Sequence, residues 1–157
     1  MTDPRHVTRV LVFQCLCLLD AQGDDALPML RRFLDEHAPD AETAARAEEL
    51  ARRVWRERDA LDQKVAAAAE RWSVARMQIV DRGILRLGAF EILLDDRVPA
   101  AVAINEAVEI AKEFAGADSP GFVNGILDSV RKAAEAEPTA QDEAGHPGVE
   151  DKAEQNE

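Results

Sequence analysis

The chain has 157 residues, enough for one domain or two small subdomains that share a core. Hydrophobic residues make up 46% of the chain and aromatic residues only 4%, a balance that favours packed helices over a β-sheet. The net charge of −12 is uneven: residues 135–157 hold eight acids and one base, so the remainder is only mildly acidic, which neither shows nor excludes RNA binding.

The sequence excludes several classes of protein. No apolar stretch is long enough to cross a bilayer, and the charged N-terminus lacks the layout of a signal peptide, so we expect no membrane association and a cytoplasmic location. Cys15 and Cys17 diverge by about 200° on a helix, which rules out a disulfide or a shared metal between them. No catalytic grouping, phosphate loop or metal-ligand spacing is present, so we expect no enzyme activity, no metal and no cofactor.

The N-terminal half predicts three helical segments. Asp3-Pro4 is a good helix start, because aspartate can cap free amides and proline is tolerated at the first helical position. Gly23 then ends this first helix. The three predicted segments are about 4–21, about 26–37, and 41–71 with a break between Asp59 and Asp62.

The C-terminal half predicts three more helices. The segment of about 76–94 is apolar on most sides, which predicts a central helix with several neighbours. Val98-Pro99 starts the next helix, and Ser119-Pro120-Gly121 starts the last. The acidic segment that follows, residues 135–157, is predicted to be disordered.

Two places could bind RNA. Arg5, His6 and Arg9 lie together in the first turns of the first helix, although an ordinary surface helix start has the same pattern. The helix start at Ser119 offers free amides as a possible phosphate seat, and Phe122 is near enough to stack a base. An ordinary cap and an ordinary core phenylalanine explain that second pattern equally well.

The stretch from Asp81 to Asp128 resembles the NusB family of transcription antitermination factors. The residues that carry the resemblance occur in one order along the chain: Arg82, Leu85 and Arg86, then Val98-Pro99 with Ile104-Asn105-Glu106-Ala107, and finally Ser119 with Phe122-Val123-Asn124-Gly125. Upstream, Arg9 and Gln14 also keep the family's spacing.

The resemblance implies an all-α fold of two small helical bundles, about six to seven helices in all. On that basis residues 1–72 form an N-terminal helical subdomain and residues 73–134 a C-terminal bundle. The family binds boxA-type single-stranded RNA and the ribosomal protein NusE, and through them joins the antitermination complex of RNA polymerase. The matching RNA-binding positions are Arg5, His6, Arg9, Asp118, Ser119 and Phe122, and the matching partner-binding positions are Cys17 and Asp81.

The chain departs from the family in its first helix, where the arginine cluster is reduced to Arg5 and His6 upstream of Arg9. Fewer phosphate contacts weaken RNA binding, so we expect a strong dependence on NusE. The alternative is a helical interaction module that binds NusE or self-associates without appreciable RNA binding. A homodimer could use apolar positions such as Leu11 or Leu16.

Arg86 lies close to the predicted core. An unpaired buried charge is costly, so we expect Arg86 to be partly buried and paired with Glu91 or Glu106.

Overall fold

The computed structural model describes residues 2–70 and 72–137, and within these ranges the protein is built from α-helices without a strand. The prediction of an all-α fold is confirmed. The helices are α1 (Pro4–Gln22), α2 (Leu30–His37), α3 (Ala41–Arg56), α4 (Arg58–Ala68), α5 (Ile79–Leu94), α6 (Ala100–Phe114) and α7 (Ser119–Ala136), with short 3-10 turns at Gly23–Met29 and Val74–Arg76.

The limits of α1 follow from its sequence. Asp3 Oδ1 accepts a hydrogen bond of 2.9 Å from the backbone N–H of Arg5, the cap that the sequence predicts. Gly23 ends the helix with a φ of 70°, in the left-handed region that glycine adopts without steric cost.

Several predicted boundaries were wrong by a few residues; the central helix, predicted from about residue 76, begins at Ile79 after the 3-10 turn Val74–Arg76. The second helix begins as a 3-10 turn, because Pro28 has no N–H to donate to the preceding turn. The break in the third segment falls at Glu57, whose N–H donates to the carbonyls of Arg53 and Val54 in a tight turn. The last helix continues through Ala136, while the prediction of disorder for residues 138–157 lies outside the described residues.

Helix α5 is the centre of the fold and packs against α1, α4, α6 and α7. Its residues 83–91 are all buried. At Gly88 an added Cβ would lie 2.6 Å from Cδ1 of Leu127, so glycine allows α7 to approach closely here. Because α1 packs on both α3 and α5, the division into subdomains 1–72 and 73–134 stays a prediction.

The suggested dimer positions were wrong. Leu11 and Leu16 are buried in the core, so neither can serve self-association. The large hydrophobic side chains that are exposed lie elsewhere: Met29, Trp72, Ile79, Leu94, Val102 and Phe114. Within residues 2–70 and 72–137, no helix combines the length and the hydropathy that a membrane span requires.

Candidate nucleic-acid interface

The first turns of α1 present Arg5, His6 and Arg9 in three different environments. Arg5 is exposed, and its guanidinium forms no ion pair with any residue in the described part of the chain. The other two side chains point towards α5 and α6 and are engaged by carboxylates there. Among the described residues, the start of α1 therefore has one arginine that is free to bind a phosphate, while the side chains of His6 and Arg9 are already engaged.

Arg9 forms a two-pronged ion pair with Glu91 of α5. Its Nε donates to both carboxylate oxygens at 3.0 and 3.1 Å, and its Nη2 donates to Oε2 at 3.0 Å. The side chains are only 11% and 4% exposed. Burial raises the pKa of Glu91, and Arg9 opposes that rise. Although burial alone would lower the pKa of Arg9, its hydrogen bond to Glu91 raises it, so the guanidinium stays charged.

His6 is held by two carboxylates of α6. Its Nδ1 lies 2.7 Å from Oε2 of Glu106, and its Nε2 lies 3.8 Å from Oε2 of Glu113. Glu106 also lies 3.9 Å from Nη1 of Arg9, so it joins the two pairs. We call this group of five side chains the α1 carboxylate cluster: His6, Arg9, Glu91, Glu106 and Glu113.

A cleft of about 770 Å³ brings the other predicted RNA-binding residues together. Asp118, Ser119 and Phe122 line one side of it, at the start of α7. The connection between α4 and α5 lines the other side with Trp72 and Arg76. We call this cleft the aromatic groove and define it by Trp72, Arg76, Asp81, Asp118, Ser119 and Phe122.

Two aromatic side chains dominate the groove. The rings of Trp72 and Phe122 meet edge to face, with centroids 5.2 Å apart and planes at 74°. Trp72 is 61% exposed although its backbone N–H is fixed by a 2.7 Å hydrogen bond to the carbonyl of Ala69. Phe122 is half-buried. An exposed indole on a fixed backbone is a platform on which a nucleic acid base can stack.

The start of α7 is a poorer phosphate seat than the sequence predicts. The N–H of Ser119 donates to the carbonyl of Gly116, and that of Phe122 donates to the carbonyl of Asp118. Pro120 has no N–H. Among the first four residues of α7, only Gly121 therefore has an amide left for an anion.

Trp72 and Arg76 were not identified from the sequence as candidate binding residues. The signal at Trp72 is a large aromatic side chain among polar neighbours in the sequence. Arg76 is exposed and forms no ion pair within residues 2–70 and 72–137. Of the described residues that line the aromatic groove, it is the one with a positively charged side chain.

The two predicted partner-binding residues lie in different surroundings. Asp81 lines the aromatic groove, and its Oδ1 is buried without a hydrogen-bond partner among the described residues. Cys17 is half-buried on α1, where its Sγ and the ring of Phe13 lie over Gly83 of α5. Burial raises the pKa of Cys17 to about 11, so the thiol stays protonated at neutral pH.

Arg86 is buried and paired with carboxylates, as expected, but the predicted partners were wrong. Its Nε and Nη2 donate to Asp62 of α4 at 2.8 and 2.7 Å, and its Nη1 donates to Asp20 of α1 at 3.2 Å. Asp20 also accepts from Arg82 at 2.6 and 2.8 Å. Glu91 is instead occupied by Arg9. We call Asp20, Asp62, Arg82 and Arg86 the Asp20 network.

The α1 residues and the aromatic groove are neighbours joined by an aromatic contact. The rings of Phe13 and Phe114 are 5.4 Å apart. Phe114 lies two residues before Gly116, which also lines the cleft of the aromatic groove. His6 lies seven residues before Phe13, about 10 Å away along the helix.

Counted over residues 2–70 and 72–137, the combined surface has more carboxylates than arginines. Its arginines are Arg5, Arg9 and Arg76, and its carboxylates are Asp81, Glu91, Glu106, Glu113 and Asp118. Non-specific binding of RNA depends on an excess of cations close to the phosphates. This surface can stack bases, but it has few cations to hold a phosphate backbone by itself.

Comparison with known proteins identifies the family. The NusB family model matches residues 6–132. The transcription antitermination protein NusB of Dehalococcoides mccartyi (strain CBDB1) is 41% identical over 133 residues, which cover 85% of this chain and 93% of that protein. A structure of T. maritima NusB is 34% identical and superposes with a TM-score of 0.75 over 84% of this chain and 93% of its own.

The fold also recurs in a crystal structure of the antitermination factors NusB and NusE in complex with double-stranded RNA. That structure has a TM-score of 0.74 at 23% identity and covers 85% of this chain and 99% of its own. The family match over most of the chain, together with 41% identity to a named member, shows that this protein belongs to the NusB family.

Proposed function

We propose that this protein is a transcription antitermination factor that binds boxA-type single-stranded RNA together with NusE. Through these two it joins the antitermination complex of RNA polymerase in the cytoplasm. The observation that carries the proposal is the aromatic groove, where the exposed Trp72 meets Phe122 beside Arg76. The relative that is 41% identical is named as an antitermination protein, which supports the same function.

The groove would contribute most of the binding energy through its aromatic rings. Stacking of a base on an aromatic side chain is worth about 1–3 kcal/mol and tolerates any base, since every base has a π-face. Arg76 and Arg5 would each pair with a phosphate. Asp118 and Asp81 add negative charge to the groove, so phosphates would be held at its edge and bases inside it.

The charge balance explains why a partner protein is needed. Among the described residues, this surface has three arginines and five carboxylates. Two of these carboxylates are already engaged, Glu91 by Arg9 and Glu106 by His6. NusE would supply further cations next to the groove, and the joint surface would bind RNA that neither protein retains alone. The proposed mechanism is therefore additive.

A helical interaction module without appreciable RNA binding remains the alternative function. The excess of carboxylates around α1 favours it, because phosphates are repelled there. The exposed Trp72 and Phe122 favour RNA binding, because the same surface offers a stacking platform. RNA affinity decides between the two.

The test is fluorescence anisotropy of a boxA-type RNA with the protein, with and without NusE, over a series of salt concentrations. We expect Trp72→Ala to weaken the joint complex about 5- to 150-fold, which corresponds to the loss of one stacking contact. Met29→Ala is the matched control, because Met29 is also exposed, at 47%, and lies outside the groove. Equal RNA affinity with and without NusE would contradict the additive mechanism. NusE binding without any RNA binding would establish the alternative.

A further inference from the structure

Two carboxylates of α6 lie next to His6 and Arg9, the two α1 side chains of the carboxylate cluster that the sequence predicts to bind RNA. Oε2 of Glu106 lies 2.7 Å from His6 Nδ1 and 3.9 Å from Arg9 Nη1, which puts a carboxylate oxygen between the imidazole and the guanidinium. Glu113 lies two turns further along α6 on the same face and approaches the other nitrogen of His6. Each nitrogen of the His6 ring thus has a carboxylate near it.

We propose that Glu106, assisted by Glu113, takes the place of an RNA phosphate at His6. RNA binding then depends on base contacts in the aromatic groove as well as on phosphate contacts at α1. The inference rests on the proposed function. The α6 carboxylates hold His6 until an RNA is anchored in the aromatic groove. Phosphate contacts alone do not displace them, so RNA that lacks base contacts in the groove is released.

Burial decides which contact of the α1 carboxylate cluster an external ligand can replace. The pair of Arg9 and Glu91 is only 11% and 4% exposed, and its loss would leave a charge buried without a partner. The pair of His6 and Glu106 is 21% exposed on both sides, and Glu113 is 57% exposed. Water can replace the partners of His6, so a phosphate can replace them too. Arg9 is a positioning residue, and His6 is the exchangeable contact.

The exchange makes the contribution of α1 to RNA affinity small. A phosphate that binds His6 must displace a carboxylate of the same charge, so little electrostatic free energy is gained. Base stacking at Trp72 and Phe122 has no such internal competitor. The ratio of affinities for RNA with bases and for a phosphate chain without bases therefore depends on Glu106, although Glu106 lies outside the aromatic groove.

The test compares the wild-type protein with Glu106→Gln, with NusE present, using a boxA-type RNA and an abasic oligoribonucleotide of the same length, which has phosphates but no bases to stack. The amide keeps a hydrogen bond to His6 and removes one negative charge close to the phosphate site. We expect the affinity for the abasic strand to rise about fivefold at low salt, as for one unit charge removed at about 4 Å in water. The affinity for the boxA-type RNA should rise less, so the selectivity falls.

Glu109→Gln is the matched control. Glu109 is on the same helix and has the same charge, but it pairs with Lys112 at 3.1 Å. If Glu109→Gln lowers the selectivity as much as Glu106→Gln, the general charge of α6 is responsible and the inference is wrong. We expect the double variant His6→Gln/Glu106→Gln to lose most of the gain, because the released contact is then missing. All variants should unfold at the wild-type urea concentration.

A measurement without RNA separates this inference from the proposed function. The ring resonances of His6 in an NMR spectrum should shift in Glu106→Gln and stay unchanged in Glu109→Gln. Unchanged His6 resonances in Glu106→Gln would overturn the inference whatever the RNA results are. If the wild type binds no RNA even with NusE, the proposed function fails. RNA binding that appears only in Glu106→Gln would still support the inference, and its absence there would overturn it.

Discussion

Helix α1 has an ionic network at each end, and the two networks differ in burial and in charge balance. At its C-terminal end, the Asp20 network pairs two arginines of α5 with two aspartates. Its side chains are mostly buried, with exposures of 9% for Arg86, 11% for Asp20 and 15% for Arg82. Every charge there has a partner of opposite sign, and the network joins α1, α4 and α5.

The α1 carboxylate cluster at the N-terminal end is unbalanced. Three carboxylates from α5 and α6 surround one arginine and one histidine. The exposed fraction of the side chains increases from Arg9 to His6 and then to Glu113. The comparison shows how one kind of interaction serves two purposes. Charges that are balanced and buried fix helices in place, whereas a partly exposed excess of one sign leaves contacts that an external ligand can exchange.

The largest expected effect is in the balanced network. Arg86→Met should lower the free energy of unfolding by about 3–5 kcal/mol, because Asp62, which is 26% exposed, would lose its arginine partner and Asp20 would keep only Arg82. Urea unfolding measures the change through the transition midpoint. Arg131→Met is the control: Arg131 pairs with Asp128 and Glu135 on an exposed face of α7, so its midpoint should stay close to the wild-type value. Equal shifts of the midpoint in Arg86→Met and Arg131→Met would show that the burial of the Asp20 network does not add to its contribution to stability.

The second effect is at the buried part of the unbalanced cluster and depends on pH. Arg9→Met should cost about 3 kcal/mol near neutral pH, since Glu91 would lose the partner of its buried charge. Burial raises the pKa of Glu91 above its value in the unfolded chain, and the variant removes the group that opposes this rise. The folded variant therefore binds a proton at Glu91 more readily than the unfolded chain does.

The sign of the pH dependence follows. Stability associated with Glu91 in the variant is fully present below the pKa of the unfolded glutamate and is lost as pH rises through the higher folded pKa. The stability difference between wild type and Arg9→Met should thus be smaller at about pH 5 than at pH 7.5. Urea midpoints at the two pH values check it, and a difference that is largest at pH 5 would contradict the role of Glu91.

The smallest expected effect on stability is at Arg5, beyond the end of the cluster. Arg5→Gln should leave the urea midpoint unchanged, because Arg5 is exposed and forms no ion pair within the described residues. It should reduce the slope of log affinity against log salt concentration by about 0.7, the value for one phosphate contact on single-stranded nucleic acid. Anisotropy with NusE and a boxA-type RNA measures the slope. An unchanged slope would show that RNA does not reach the start of α1.

Much of the architecture could be predicted from local sequence. The cap at Asp3, the stop at Gly23 and the apolar surface of the segment that becomes α5 are properties of neighbouring residues, and each was found where the sequence indicated. The resemblance carried by residues 82–125 also predicted the family correctly. These features depend on contacts within one or two helical turns, which sequence spacing records directly.

The pairing of charges could not be predicted in the same way. The sequence places Arg86 near the core and implies a carboxylate partner, yet Glu91 and Glu106 were chosen where the fold uses Asp62 and Asp20. Long charged side chains can reach many positions, and helix packing decides which acid comes within hydrogen-bond distance. Sequence spacing within one helix has no information on that choice.

The sequence by itself determined that the chain is helical, where most helices begin and end, and which family it belongs to. Only the tertiary structure decided which cations remain available to a ligand. It paired Arg9 with Glu91, left Arg5 exposed, and placed Trp72 against Phe122 across 50 residues of sequence. The physical reason is that propensity and capping act locally, whereas burial and charge pairing depend on how helices distant in the chain pack together.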